Sequence, residues 1–109
     1  LVDVYKRQAE NISLSKASDM AAMSKTAFAR NFQKFTGSKF SEFVIRVRIG
    51  QACSMLQATD LTVATICHEV GYNNLANFNR HFRKVKEMTP SNYRDFMRRE
   101  LLAGMAAKR

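Results

Sequence analysis

The chain has 109 residues, 46% of them hydrophobic, with 18 Lys and Arg against 9 Asp and Glu for a net charge of +9. That apolar share suits one small domain, or two small lobes, and excludes a disordered chain; no apolar run approaches the ~20 residues of a transmembrane helix. The cationic excess points to a polyanion (DNA, RNA or an anionic membrane), while two cysteines, Cys53 and Cys67, suit neither a disulfide framework nor a zinc site and read as small buried apolar residues in a reducing cytoplasm.

At the start, Asp3 to Gln8 read DVYKRQ. The adapter sequence GAT GTG TAT AAG AGA CAG, used at transposon ends in sequencing libraries, translates to the same residues. Residues 1–8 are therefore expected to be a non-native segment, set aside from functional reasoning, with the natural protein continuing upstream. Removing Asp3, Lys6 and Arg7 leaves 16 basic and 8 acidic residues, a net +8, so the polyanion argument stands.

With one Pro, four Gly and weak strand signals, the remainder reads as all-α. Residues 9–38 form a first helix-turn-helix lobe. Its first helix is expected over Leu14–Ala21 with Ser13 as N-cap. A second helix follows from Ser24, with Phe28, Phe32 and Phe35 on one face at i, i+4, i+7 and read as core. Residues 39–58 form a connecting helix, Phe40–Ala58, striped by Phe43, Val44, Val47, Ala52, Met55 and Leu56 and weakened only at Gly50, by ~1 kcal/mol against Ala. Residues 59–100 form a second lobe. Val63–Val70 is a helix capped by Thr62 or Asp60, Gly71 supplies the positive φ of a tight turn, and Asn74 caps the next helix, with Phe78, Phe82 and Val85 inward. Thr89-Pro90 is a cap followed by Pro at the first position of a last helix. Residues 101–109 are a basic C-terminal tail. The six methionines, Met20, Met23, Met55, Met88, Met97 and Met105, read mostly as core filler.

The two lobes repeat. Ser24–Phe35 (SKTAFARNFQKF) aligns with Asn74–Val85 (NLANFNRHFRKV) at an offset of fifty, pairing Phe28 with Phe78, Arg30 with Arg80, Phe32 with Phe82 and Lys34 with Lys84. Onward, Ser41 pairs with Ser91 and Phe43 with Tyr93. Helix, short turn, helix, twice over, is the helix-turn-helix pattern. A helix in the major groove offers Arg to guanine, Asn to adenine and small apolar groups to the thymine methyl. Arg30, Asn79 and Arg80 are the polar base-reading candidates, with phosphate contact or an ion pair as the alternative for both arginines. Thr26, Ala29, Leu75 and Ala76 are the apolar ones, with simple packing the alternative for Leu75. Lys25, Lys34, Arg83, Lys84, Lys86 and Arg94 are assigned to phosphate, where they add affinity without sequence information. A joining helix of ~19 residues spans about 28 Å, close to one turn of DNA.

Other functions find less to stand on. His68 and His81 are the only histidines, and although Glu69 abuts the first, no triad, carboxylate pair or metal spacing accompanies them. A charge-driven, nonspecific nucleic-acid binder is the alternative to sequence reading. Its aromatics would be exposed for stacking, or its basic residues would run along one helix face.

The residues Ile66-Cys67, Val70-Gly71-Tyr72, Asn77-Phe78-Asn79-Arg80-His81-Phe82 and Thr89-Pro90-Ser91-Asn92-Tyr93-Arg94, with Met23-Ser24 through Phe32 and Thr36-Gly37, resemble the DNA-binding domain of AraC/XylS-family transcriptional regulators. The likeness covers roughly residues 12–94. It implies a homeodomain-like, all-α fold of about seven helices, two helix-turn-helix lobes on a long central helix, with the third and sixth helices in consecutive major-groove segments. Base contact then falls on Thr26, Ala29 and Arg30, and on Leu75, Ala76, Asn79 and Arg80. The resemblance also implies promoter or operator DNA as ligand, RNA polymerase as a protein partner, and a cytoplasmic, nucleoid-associated location. No cofactor, metal or catalytic role is expected, and an effector site or dimer partner belongs to a separate domain. Three departures stand out: Glu87 replaces a usual Gly, Cys67 replaces a usual Ala, and the first family helix is truncated or improvised from Leu1–Glu10.

Overall fold

The computed structural model describes residues 13–107, which form six α-helices. They are α1 (Leu14–Met20), α2 (Lys25–Thr36), α3 (Phe40–Ala58), α4 (Val63–Glu69), α5 (Leu75–Lys86) and α6 (Pro90–Ala107). The adapter-like segment 1–8, the improvised helix of Leu1–Glu10 and the last two residues of the basic tail lie outside the described residues. Among those described there is no strand.

Each helix start has a local cause. The side-chain oxygens of Ser13, Ser24, Thr62 and Asn74 accept hydrogen bonds from the backbone N–H groups of Lys16, Ala27, Thr65 and Asn77 at 2.9–3.1 Å. Thr89 does the same for Asn92 at 3.2 Å, ahead of Pro90. Each satisfies one of the donors that a helix leaves unpaired at its first turn. The connecting helix α3 has the expected bounds, and α6 continues through Ala107, so residues 101–107 are an exposed helical extension.

The two lobes are built on the same plan, with one residue of difference. The helices α2 and α5 stand at an offset of fifty, but α1 and α4 stand at forty-nine. The turns agree at forty-nine as well. Ala22 N–H donates to Asp19 and Met23 N–H to Ser18, as Gly71 N–H donates to His68 and Tyr72 N–H to Cys67. The second lobe therefore carries one extra residue in its turn. Among the described residues each lobe places two in the left-handed region, one of them a glycine. Ala22 (φ +54°) and Gly37 (φ +77°) serve the first lobe, Gly71 (φ +102°) and Glu87 (φ +61°) the second. Glu87 closes α5 with its N–H on Arg83 O at 2.8 Å, so the non-glycine here holds a glycine's conformation rather than breaking the turn.

Among the described residues the core belongs mainly to the second lobe. Ile49, Ala52, Met55 and Leu56 of α3 pack with Ile66, Val70, Phe78 and Phe82, all fully buried, and with Cys53, Cys67 and Tyr72. Tyr93 of α6 closes this core from below, its ring 5.6 Å from Phe82. In the first lobe Phe28 and Phe32 are half-buried and meet Phe40 edge-on at 5.3 and 5.2 Å. Several expected core positions fail here. Phe35 is 82% exposed rather than core, because α2 ends in the Gly37 turn and α3 leaves without covering its last inward position. Val85 and the methionines Met20, Met23 and Met105 are exposed too; Met55 alone of the six is fully buried.

Arg94 departs from expectation as well. Charge alone places it on phosphate, but its guanidinium is turned inward and donates to Leu56 O (2.9 Å), Thr59 O (3.2 Å) and Leu61 O (2.7 Å). It clamps the C-terminal end of α3 and the following loop to α6. A cation there also faces the partial negative charge of the helix end. Arg98 adds a second donor to Thr59 O and pairs with Asp60 at 2.9 Å, the one ion pair among the described residues.

Candidate nucleic-acid interface

Because Phe28 and Phe32 turn α2 toward Phe40, its opposite face is left to solvent. Lys25, Thr26 and Arg30 are exposed there and Ala29 is half-buried. All four line a cleft of about 1160 Å³ between the lobes. Its far wall is the second lobe's turn and the near edge of α5: Gly71, Tyr72, Asn73, Asn74, Asn77 and His81. Its floor includes Lys39 and Arg48. No Asp or Glu stands among the described residues of this lining.

Burial of Phe78 and Phe82 turns α5 in the same way. Leu75, Ala76, Asn79, Arg80, Arg83, Lys84 and Lys86 are exposed. The structure groups Leu75, Ala76, Asn79 and Arg80 on the outer face of α5, beside the cleft rather than within it. Arg80 donates to the side-chain oxygen of Asn77, which ties it to the cleft edge. Lys34 ends α2, and Arg83, Lys84 and Lys86 end α5, where cations also favour the helix dipole. Lys86 lies 6.0 Å from the Tyr93 ring centre. None of these cations is paired with a carboxylate among the described residues, which leaves their charge to meet an anion.

Two residues at the cleft were not singled out in the sequence as parts of such a site. His81 Nδ1 lies 2.8 Å from the Tyr72 hydroxyl. Burial, reinforced by the charges of Arg80 and Lys84, pulls the imidazole below the usual histidine range, and burial pushes the Tyr72 phenol up. A neutral His81 then accepts the Tyr72 O–H, which fixes both rings. Arg48 is the other. Its only signal in the sequence is a cation beside Ile49, one of two arginines (with Arg46) in a mostly apolar stretch of the connecting helix, and it reads as solvent-facing until the second lobe's turn is seen to rest on it. Among the described residues no cluster of His, Cys, Asp or Glu is arranged to hold a metal, and no described helix is long and apolar enough to cross a membrane.

Comparison with known proteins gives this arrangement its context. A family described as a helix-turn-helix domain matches residues 17–95. A putative AraC-like transcription regulator of Streptomyces lividans is 30% identical over 94 residues, covering 86% of this chain and 31% of that protein. The chain spans a third or less of the length of the curated relatives it matches. Among solved structures, the DNA-binding domain of AdpA, a global transcriptional factor crystallised with a target DNA, superposes with a TM-score of 0.73 at 27% identity, covering 81% of this chain and 79% of that one. A probable AraC family transcriptional regulator from Rhodopseudomonas palustris gives 0.70 at 26% identity, covering 86% and 94%.

Proposed function

The chain belongs to the AraC-type helix-turn-helix regulators, and from that premise we propose that it binds duplex DNA sequence-specifically and regulates transcription, α2 and α5 reading adjacent major-groove segments. One observation carries the reading: two lobes of the same build sit on one continuous helix, and each leaves the outer face of its second helix exposed, cationic and, among the described residues, free of carboxylate partners. A helix of 19 residues is about 28 Å long, which suits two reading helices about one turn of DNA apart, near 34 Å. Thr26, Ala29 and Arg30 then face one base set and Leu75, Ala76, Asn79 and Arg80 another. Since the two faces differ, the site is asymmetric. Lys25, Lys34, Arg83, Lys84 and Lys86 hold phosphate; Arg94 is withdrawn from that set. Promoter or operator DNA is the ligand, RNA polymerase the protein partner this role implies, and the nucleoid the place of action. The chemistry is recognition rather than catalysis.

Selection from a random duplex pool near physiological salt tests this. The expected result is enrichment of two unlike short motifs centred about 10 base pairs apart. Steeply salt-sensitive binding without enrichment would instead establish a charge-driven, nonspecific nucleic-acid binder.

A further inference from the structure

We propose that Arg48 seats one phosphate of the bound duplex in the cleft between the lobes, where the DNA backbone passes from one recognition helix to the other. This assignment rests on the DNA-binding reading above and adds to it a fixed point of register.

Arg48 stands at the middle of α3, and its neighbour Ile49 is fully buried, so the backbone that carries it is anchored in the core. The guanidinium is pressed against the second lobe's turn. Its carbon lies 5.8 Å from the centre of the Tyr72 ring, and a Cβ on Gly71 would stand 3.3 Å from both Cζ and Nε. Gly71 thus serves twice, as the left-handed residue of the turn and as the gap that admits the cation.

This cation is held firmly and satisfied poorly. Among the described residues its one hydrogen bond, from Nη1 to Gly71 O, is long at 3.5 Å, and its buried Nε has no partner. No carboxylate among the described residues pairs with it. Glu69, at the end of α4, makes no ion pair with it and has an unpartnered buried oxygen of its own. A half-buried positive charge with an unused N–H is costly unless an anion answers it. A guanidinium is suited to phosphate, because its planar donors match two oxygens at once.

The surroundings favour the same ligand. Lys25, Lys39, Asn73 and Asn74 line the cleft with it. The N-terminal ends of α2 and α5, each a helix of 12 residues, begin at this lining, and both favour negative charge. The lysines at the ends of α2 and α5 are exposed and can follow a phosphate over several ångströms. Arg48 cannot, so a phosphate held there fixes how both helices enter their grooves.

The test uses the whole chain, its selected duplex, and phosphate-ethylation interference beside affinity as a function of salt. Wild-type protein is expected to show an ethylation-sensitive phosphate between the two motifs. Arg48→Gln is expected to lose that one position, to keep both base footprints, to lower the salt slope by about one and to weaken binding about fivefold at 0.15 M salt. Arg48→Lys is expected to keep the slope, since the charge remains, while the interference at that phosphate weakens. Melting curves of each variant separate lost contact from lost fold. A wild-type pattern with no sensitive phosphate between the motifs overturns the assignment without any variant. So does a folded Arg48→Gln with unchanged slope and pattern, and in both cases the reading of the two helices stands. A wild-type chain that selects no motif overturns that reading and this one together.

Discussion

Replacing Arg94 by Ala separates two roles that a surface cation and a structural clamp would give it. The side chain supplies three hydrogen bonds to backbone carbonyls, of Leu56, Thr59 and Leu61. Thr59 O keeps a donor in Arg98, so two carbonyls lose their side-chain partner outright. Leu56 O is among the last four carbonyls of α3, which the helix itself leaves unpaired. A hydrogen bond from a charged donor contributes about 1.5–3 kcal/mol, and a carbonyl left unpaired on burial costs a similar amount. Two such losses, discounted for partial exposure and water access, come to about 3 kcal/mol. For a domain of this size each kcal/mol lowers Tm by about 4–8 °C, so the variant should melt roughly 12–24 °C lower. Circular dichroism melting measures this directly, and Arg94→Lys, with one point charge in place of a planar fork, should recover only a minor part. A fall in Tm of under 2 °C, together with a DNA-binding salt slope reduced by about one, would refute the clamp and return Arg94 to the phosphate-binding set.

The remaining expectations follow from single observations. Phe82→Ala, at a fully buried site, should cost about 3–5 kcal/mol in urea unfolding, whereas Phe32→Ala, half-buried in the first lobe, should cost about half as much; equal losses would contradict the uneven core. Glu87→Gly should raise stability by about 0.5–1 kcal/mol by relieving a left-handed non-glycine at φ +61°, while Gly37→Ala should lower it. The His81 imidazole is pulled below its ordinary value, so the unfolded chain takes up a proton first as pH falls. The histidine's contribution is complete above about pH 6.5 and declines below it. Tm measured from pH 8 to 5 should drop less in His81→Gln than in the parent. Arg80→Ala should cost about 1–3 kcal/mol at one base position and relax preference there, while Lys84→Ala should weaken all duplexes alike; equal losses on specific and random DNA for Arg80→Ala would remove it from the base readers.

Much of the architecture was legible because it is local. Hydroxyl and amide side chains one residue before an apolar stripe mark helix starts: Ser13, Ser24, Asn74 and Thr89 cap as expected, and of Thr62 and Asp60 it is Thr62 that caps. The bounds of α3 follow from an unbroken stripe with turn signals on either side. What escaped was whatever depends on a second element at a particular height. Periodicity places Phe35 on the inward face, yet no described element passes beneath that last turn. Charge places Arg94 among the phosphate-binding cations, yet only the folded chain brings three carbonyls to it. Arg48 was invisible for the same reason, since its environment is Gly71 and Tyr72, more than twenty residues on. The exposed faces of α2 and α5 were readable from the phenylalanines opposite them, but the shift from forty-nine to fifty was not, because the turn that absorbs it has no repeated residue to betray it.

The connecting helix is shared unequally, and synthesis in order makes that a matter of time. The face of α3 bearing Ile49, Ala52, Met55 and Leu56 packs on elements made after it. Tyr93, which completes its cover, lies 37 residues beyond Leu56. At about 5–20 residues per second, that face waits roughly 2–7 s for its partners. Through that interval a nascent chain presents an uncovered apolar helix of the kind that chaperones hold and that pairs wrongly with its neighbours on a polysome.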